Sequence, residues 1–113
     1  MKVLLTGSSK GIGYKIAKDL KAEGHTLALH YNKNESTLEA LLKEDKTGSF
    51  SIQADLSQQE EVKKMVVNTI DKLSFPDCII NNAGIAESAN ISLDINNWSN
   101  IFDKTIDVNL KAP

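Results

Sequence analysis

Short apolar runs alternate along this chain with longer stretches in which apolar residues return every three or four positions. Val3-Leu4-Leu5 is the first run. It ends at Thr6-Gly7 and predicts a buried strand. Ile12, Ile16, Ala17 and Leu20 then follow at helical spacing as far as Gly24, which suits a C-terminal cap. Thr26 to Tyr31 predicts a second strand. Ser36 with Glu39 has the spacing of a capping box, opening a helix that carries Leu38, Leu41 and Leu42. Thr47-Gly48 breaks that helix, and Ser49 to Ala54 predicts a third strand. Ser57 with Glu60 is a second candidate capping box. It precedes the cleanest helical face in the chain, Val62, Met65, Val66, Thr69, Ile70 and Leu73. Phe75-Pro76-Asp77 is a turn, Cys78-Ile79-Ile80 a fourth strand and Asn81-Asn82-Ala83-Gly84 a loop. Ile95, Trp98, Ile101, Phe102 and Ile106 mark a last helix running toward Pro113, with Trp98 expected in core or interface packing.

Strands that are apolar throughout, each followed by a helix, imply a parallel sheet covered on both faces. Right-handed crossovers then give an α/β doubly wound parallel sheet, Rossmann-like, with expected strand order 3-2-1-4. The 113 residues suffice for one small core and are too few for two, so a single small domain is expected. A net charge of −2 supplies no basic excess for neutralising phosphates, which argues against nucleic acid as the main partner. No apolar run approaches the roughly 20 residues of a membrane span. The first apolar stretch is too short for a signal peptide, so a cytoplasmic setting is expected. Cys78 is the only cysteine. It excludes an internal disulfide and a cysteine metal cluster, and it is expected as a small buried hydrophobe; no metal site is expected.

The segment Thr6-Gly7-Ser8-Ser9-Lys10-Gly11-Ile12-Gly13 lies between the first predicted strand and the first predicted helix. Glycines there allow a tight turn and close approach of a pyrophosphate. The helix N-terminus adds unpaired N–H groups and partial positive charge. A tight strand–helix turn with no ligand is the alternative reading, and the placement after a strand and before a helix favours the phosphate site. The spacing has three residues between its first two glycines, not the single residue of the ordinary dinucleotide fingerprint.

That Thr-Gly-x-x-x-Gly-x-Gly form resembles the short-chain dehydrogenase/reductase family in its classical subgroup, and three later segments agree. Asp55-Leu56 follows the third strand, where the family places an Asp that bonds the adenine. Asn81-Asn82-Ala83-Gly84 matches the family's Asn-Asn-Ala-Gly motif, which stabilises the central sheet and lines the cofactor cleft. Val108-Asn109-Leu110 falls where the family carries its catalytic Asn. Taken singly, Asp55 also reads as a turn residue and Asn109 as a solvated helix residue. The resemblance covers essentially the whole chain and, within the family, is most like the 3-oxoacyl-carrier-protein reductase type; it implies that residues 1–113 are the NADP-binding N-terminal part of a single Rossmann-like domain whose sheet is incomplete. It implies cofactor contacts from Gly7, Ser9, Lys10, Gly11, Ile12, Gly13, Tyr31, Asp55, Leu56, Asn82, Ala83 and Gly84, with Asn109 in the catalytic set.

An NAD site usually ends its second strand with an acid that grips the ribose hydroxyls. Here the strand runs His30-Tyr31-Asn32-Lys33, with no acid before Glu35. Lys10 stands where NADP-preferring relatives carry a cation for the 2′-phosphate, and Lys33 is a second candidate. NADP is therefore the expected cofactor, NAD the less favoured one; His25 and His30 are not expected to be catalysts. The resemblance also implies a Ser and a Tyr-x-x-x-Lys, in which the Tyr acts as acid/base and the Lys lowers its pKa. The only such spacing here is Tyr14 with Lys18, in the first predicted helix. The expectation is a truncated dehydrogenase/reductase, inactive alone, whose full-length relatives are homo-tetramers acting on a small carbonyl or alcohol, including an acyl-carrier-protein thioester. A non-catalytic nucleotide-binding module and an inert remnant are the alternatives.

Overall fold

The computed structural model describes residues 1–113. Its elements, in order, are β1 (Lys2–Leu5), α1 (Gly11–Ala22), β2 (Thr26–Tyr31), α2 (Ser36–Leu42), β3 (Phe50–Gln53), α3 (Gln59–Leu73), β4 (Cys78–Ile80) and α4 (Ile95–Ile106). A π-helical turn, Asp107–Lys111, continues α4. The four strands form one parallel sheet in the order β3-β2-β1-β4, the doubly wound Rossmann-like arrangement.

Side-chain alternation sends the apolar residues of each inner strand to two faces. Val3 and Leu5 of β1 and Leu27 and Leu29 of β2 are buried on one face, against Ala17 of α1 and Leu38 of α2. Leu4 and Ala28 point the other way, against Leu73 of α3. A third cluster joins Ile52, Ala54 and Leu56 to Met65 of α3 and Val108 of the π-helical turn. Each fully buried leucine contributes about 1.5–3 kcal/mol through removal from water. The one buried hydroxyl of α3, on Thr69, donates to the Met65 carbonyl at 2.8 Å and so costs nothing in unmet bonding. Parallel pairing aligns the C-terminal ends of the strands, so the loops after β1, β2, β3 and β4 all emerge at one rim.

Helix boundaries depart from the sequence pattern where local side chains intervene. Gly24 ends α1 as expected, at φ +80°, with its N–H on the Lys21 carbonyl. Neither predicted capping box forms. Ser36 is already helical, its N–H and hydroxyl both donating to Asn34 Oδ1. Ser57 likewise donates its N–H and hydroxyl to Asp55 Oδ1, so α3 begins two residues later than Ser57. Glu61 reaches back to the Asp55 N–H, while Glu60 pairs with Lys63. In both places an Asx turn captures the serine before a helix end can. The cap that does form belongs to Asp94, whose Oδ1 accepts the N–H groups of Asn96 and Asn97 at 3.0 Å.

The last helix does not run unbroken to the end: the Ala112 N–H bonds the Asp107 carbonyl five residues back. Trp98 is not core. It stacks on Phe102 with centroids 5.6 Å apart, both rings about half exposed, and α4 buries no residue fully. Cys78 is half-buried, because β4 is an edge strand with only β1 beside it. Val66, on the predicted apolar face of α3, is exposed beside the same edge. No helix is long and apolar enough to cross a membrane.

Ile79 of β4 is 57% exposed on that unpaired edge, and exposed apolar edges template pairing between chains. The 113-residue chain is expected to self-associate reversibly, and Ile79→Lys to shift it toward monomer. Sedimentation velocity across a concentration series checks this; a wild-type chain that stays monomeric throughout contradicts it.

Candidate functional site

The site is built where the loop after β1 meets the loop after β4. Thr6 closes β1, its N–H on the Ile80 carbonyl at 3.0 Å. Its hydroxyl accepts the N–H groups of Asn82 and Ala83 at 3.1 and 3.0 Å. The Asn82 carboxamide returns the contact, donating from Nδ2 to the carbonyls of Thr6 and Gly7, each at 3.0 Å. These bonds strap the Asn-Asn-Ala-Gly segment onto the glycine loop. The packing leaves no space for side chains at two loop positions. A Cβ on Gly7 would lie 2.8 Å from Ala83 Cα, and one on Gly13 would lie 2.1 Å from the Gly7 oxygen and 2.5 Å from Asn82 Nδ2. Gly11 differs: it has φ +55° and open space around it, so conformation and access govern that position.

β2 holds the loop from the other side. The Gly7 N–H donates to His30 Nδ1 at 3.0 Å. The Ser8 N–H and hydroxyl donate to the His30 carbonyl at 2.9 and 2.8 Å. Thr37, in the first turn of α2, donates its hydroxyl to the Ser9 carbonyl at 2.6 Å. The loop is thus fixed through Ser9, and beyond it Lys10, Gly11 and Ile12 are exposed. Lys10 occupies the N-cap of α1 in extended conformation. No side chain caps that helix and no acid lies in its first turn. A fixed, glycine-lined turn therefore leads into a 12-residue helix whose N-terminal donors have no side-chain acceptor, which is the electrostatic requirement for an anion.

The second-strand rim carries Tyr31, Asn32 and Lys33. The Tyr31 hydroxyl donates to Glu35 Oε2 at 2.9 Å; burial, then that carboxylate, pushes the phenol above its ordinary pKa. Glu35 also accepts from the Ser51 hydroxyl through Oε1. Both oxygens of the first acid after β2 are thereby engaged. Asp55, after β3, is held below the usual carboxylate range chiefly by the Ser57 hydroxyl and N–H, with Lys104 and Lys33 adding to the effect. Its Oδ1 takes both Ser57 bonds. Leu56, which follows Asp55, is buried in the third apolar cluster, where it packs with Met65 and Val108.

Asn109 lies in the π-helical turn. Its Oδ1 accepts the Ile85 N–H at 2.9 Å and its Nδ2 donates to the Ile85 carbonyl at 2.8 Å. The side chain therefore clasps the backbone just after Gly84, whose position is 3.5 Å from Asn109 Oδ1 when a Cβ is built there. Gly7 lies against Ala83, Gly13 and Asn82, and Gly13 also against Asn82, while Asn109 holds the chain just after Gly84 through Ile85. Tyr31, Lys10 and Asp55 stand around this centre without bonding to it. Thr6 enters the sequence reading only as the first residue of the glycine motif and His30 only as a strand residue, neither as a bonding partner of the loop. The signal for His30 was a lone polar ring inside an apolar strand, which must find partners when buried.

The family model described as short chain dehydrogenase matches residues 1–113. The 3-oxoacyl-acyl-carrier-protein reductase FabG of Staphylococcus epidermidis is 36% identical over 112 residues, covering 96% of this chain and 45% of the relative. A short chain dehydrogenase from Burkholderia cenocepacia J2315 in complex with NADP matches with a TM-score of 0.81 at 32% identity, covering 97% of this chain and 45% of that one. A 4-hydroxyisoleucine dehydrogenase complexed with NADH matches with a TM-score of 0.84 at 28% identity, covering 99% and 44%. The chain spans less than half the length of each of these three proteins.

The strap between the two loops should be measurable. Asn82→Ala leaves the Thr6 and Gly7 carbonyls without their shared donor and is expected to cost about 1–3 kcal/mol of unfolding free energy. Gly13→Ala forces backbone apart and is expected to cost a similar ~1–3 kcal/mol. Urea denaturation checks both; midpoints equal to wild type would contradict this account of the loop.

Proposed function

Because the chain belongs to the short-chain dehydrogenase family, we propose that it is the cofactor-binding portion of an NADP(H)-dependent oxidoreductase that interconverts carbonyl and alcohol groups. The observation that carries this reading is the glycine loop. It is strapped to Asn82 and Ala83 on one side and His30 on the other, and it delivers the backbone into an uncapped α1 N-terminus. The residues fit a dinucleotide. Gly7, Ser9, Gly11, Ile12 and Gly13 would hold the pyrophosphate through backbone donors. Tyr31 and Asp55 would flank the adenosine, with Leu56 supporting that wall from behind. Asn82, Ala83 and Gly84 would line the path toward the nicotinamide. The bound nicotinamide supplies a hydride donor or acceptor. Asn109 would set the position of the Ile85 backbone beside it, and in this reading belongs to the catalytic set.

Similar structures hold NADP in one case and NADH in another, so the preference has to come from this chain's own side chains. Lys10 is exposed at the α1 N-cap and Lys33 at the β2 rim. The first acid after β2, Glu35, spends both carboxylate oxygens on Tyr31 and Ser51. A free carboxylate would favour unphosphorylated ribose, whereas free ammonium groups favour a 2′-phosphate. The substrate in this proposal is a 3-oxoacyl thioester on an acyl carrier protein, by similarity to the Staphylococcus relative. The proton-transfer pair is another matter. Tyr14 packs against the apolar core and Lys18 is exposed one turn along α1, so they form no active site, and the 113-residue chain should not turn over substrate.

Fluorescence titration tests the cofactor reading. NADPH is expected to bind at least about tenfold more tightly than NADH, a difference near 1.4 kcal/mol, and Lys10→Ala to remove most of that margin. Equal affinities, or tighter NADH, would overturn the preference. Following NADPH absorbance with acetoacetyl thioester should show no consumption; steady turnover would overturn the claim of inactivity.

A further inference from the structure

His30 is 2% exposed, in the centre of the sheet's C-terminal rim, and both ring nitrogens are bonded. Nε2 lies 2.9 Å from the Ala54 carbonyl and Nδ1 lies 3.0 Å from the Gly7 N–H. A carbonyl only accepts and an amide N–H only donates. Both contacts can therefore be made by one form alone, the neutral ring with its proton on Nε2. The same residue's carbonyl takes the Ser8 N–H and hydroxyl. One residue thus connects the start of the glycine loop to the turn after β3, where Asp55 begins.

We propose that His30 is a positioning residue for the bound dinucleotide, whose neutral ring holds the phosphate-binding loop in shape and whose protonation releases it. A proton added at Nδ1 would face the Gly7 N–H, replacing an acceptor with a second donor. Gly7 cannot shift far to escape, since Ala83 and Gly13 confine it and its carbonyl is held by Asn82. No charged group compensates an imidazolium. Of the ionisable groups on the elements around the ring, Lys10 at the α1 N-cap and Lys33 are exposed cations, Tyr31 and Glu35 bond each other, Asp55 is turned to Ser57, and the Glu61 carboxylate of α3 is engaged by the Asp55 N–H. Burial pushes the ring below its ordinary pKa, with the Ala54 bond opposing only in part. The neutral form is thus the folded form. Its stabilising effect is present above the unfolded value of about 6.5 and is lost as pH falls below it toward the lowered folded value.

The effect on cofactor binding rests on the function proposed above; the effect on the loop does not. Nucleotide held by the ordered loop excludes the protonated ring, so acid should weaken binding, by at most about tenfold per pH unit for one linked proton. The 2′-phosphate of NADPH itself titrates near pH 6, so the informative quantity is the difference between wild type and His30→Asn. An asparagine offers an acceptor and a donor without titrating. The Kd ratio between about pH 5.5 and pH 8 is expected to be several-fold larger for wild type than for His30→Asn; equal ratios would overturn the coupling. In nucleotide-free chain, long-range ¹H–¹⁵N NMR should show the Nε2–H tautomer, and the Gly7 amide should move with the His30 ring at one midpoint below the ordinary value. An Nδ1–H tautomer, or a Gly7 amide indifferent to the ring's titration, would overturn the positioning role. Absence of NADPH binding at pH 8 would contradict the proposed function and leave the NMR result to decide the role of His30.

Discussion

The Asn82 carboxamide donates to two consecutive carbonyls, those of Thr6 and Gly7, while the Thr6 hydroxyl accepts from the backbone of Asn82 and Ala83. This reciprocal exchange ties the ends of the two neighbouring strands β1 and β4 together. Most of the rim follows from it. Gly7 is brought within reach of Ala83, so no side chain fits there, and Gly13 is brought against the Gly7 oxygen, so α1 must start at close range. Each carbonyl would otherwise be a partly buried acceptor lacking a donor, which costs on the order of 1–3 kcal/mol. The strap thus stabilises the fold and shapes the anion site through the same four bonds.

Beyond the strap the rim is graded in rigidity. Thr6 through Ser9 are held by β4, β2 and α2, whereas Lys10, Gly11 and Ile12 are exposed and bear no side-chain cap. A phosphate needs that combination: donors aimed outward from a backbone that does not rearrange on binding. The π-helical turn applies the same logic at the other end of the chain. It places Val108 in the apolar cluster and turns Asn109 onto both backbone groups of Ile85. One extra residue in the turn thereby separates a packing side chain from a polar one.

Much of this could be read from the residues alone. The strands could, because Val3-Leu4-Leu5 and Thr26–Tyr31 are apolar on both faces and only a covered parallel sheet accommodates them. The glycine loop and Asn82 could, because their spacing is specific. The helix starts could not: Asn34 and Asp55 capture the serines in Asx turns, and a spacing rule for capping boxes does not weigh an acceptor two residues upstream. Trp98 was expected in core or interface packing, and α4 meets too little of the sheet to make it core. The packing of Leu56 with Met65 and Val108 was not legible either, because it joins the end of β3 to α3 and, far along the chain, to the π-helical turn. For His30 the sequence shows only that a polar ring inside an apolar strand needs partners, not which ones. Nothing in its neighbours along β2 indicates that Gly7 and Ala54 come within 3.0 Å of its two nitrogens.

The central claim is that the exposed end of this loop, with the first turn of α1, receives the pyrophosphate of a nicotinamide dinucleotide. Its most direct test is a ¹H–¹⁵N correlation spectrum of the labelled chain during titration with NADPH. The account predicts that the amides of Ser9 through Gly13 shift most, saturably, with smaller shifts at Asn82 to Ile85 and at Asp55. A titration that leaves the Ser9–Gly13 amides unmoved, or that moves only residues of α4, would contradict it.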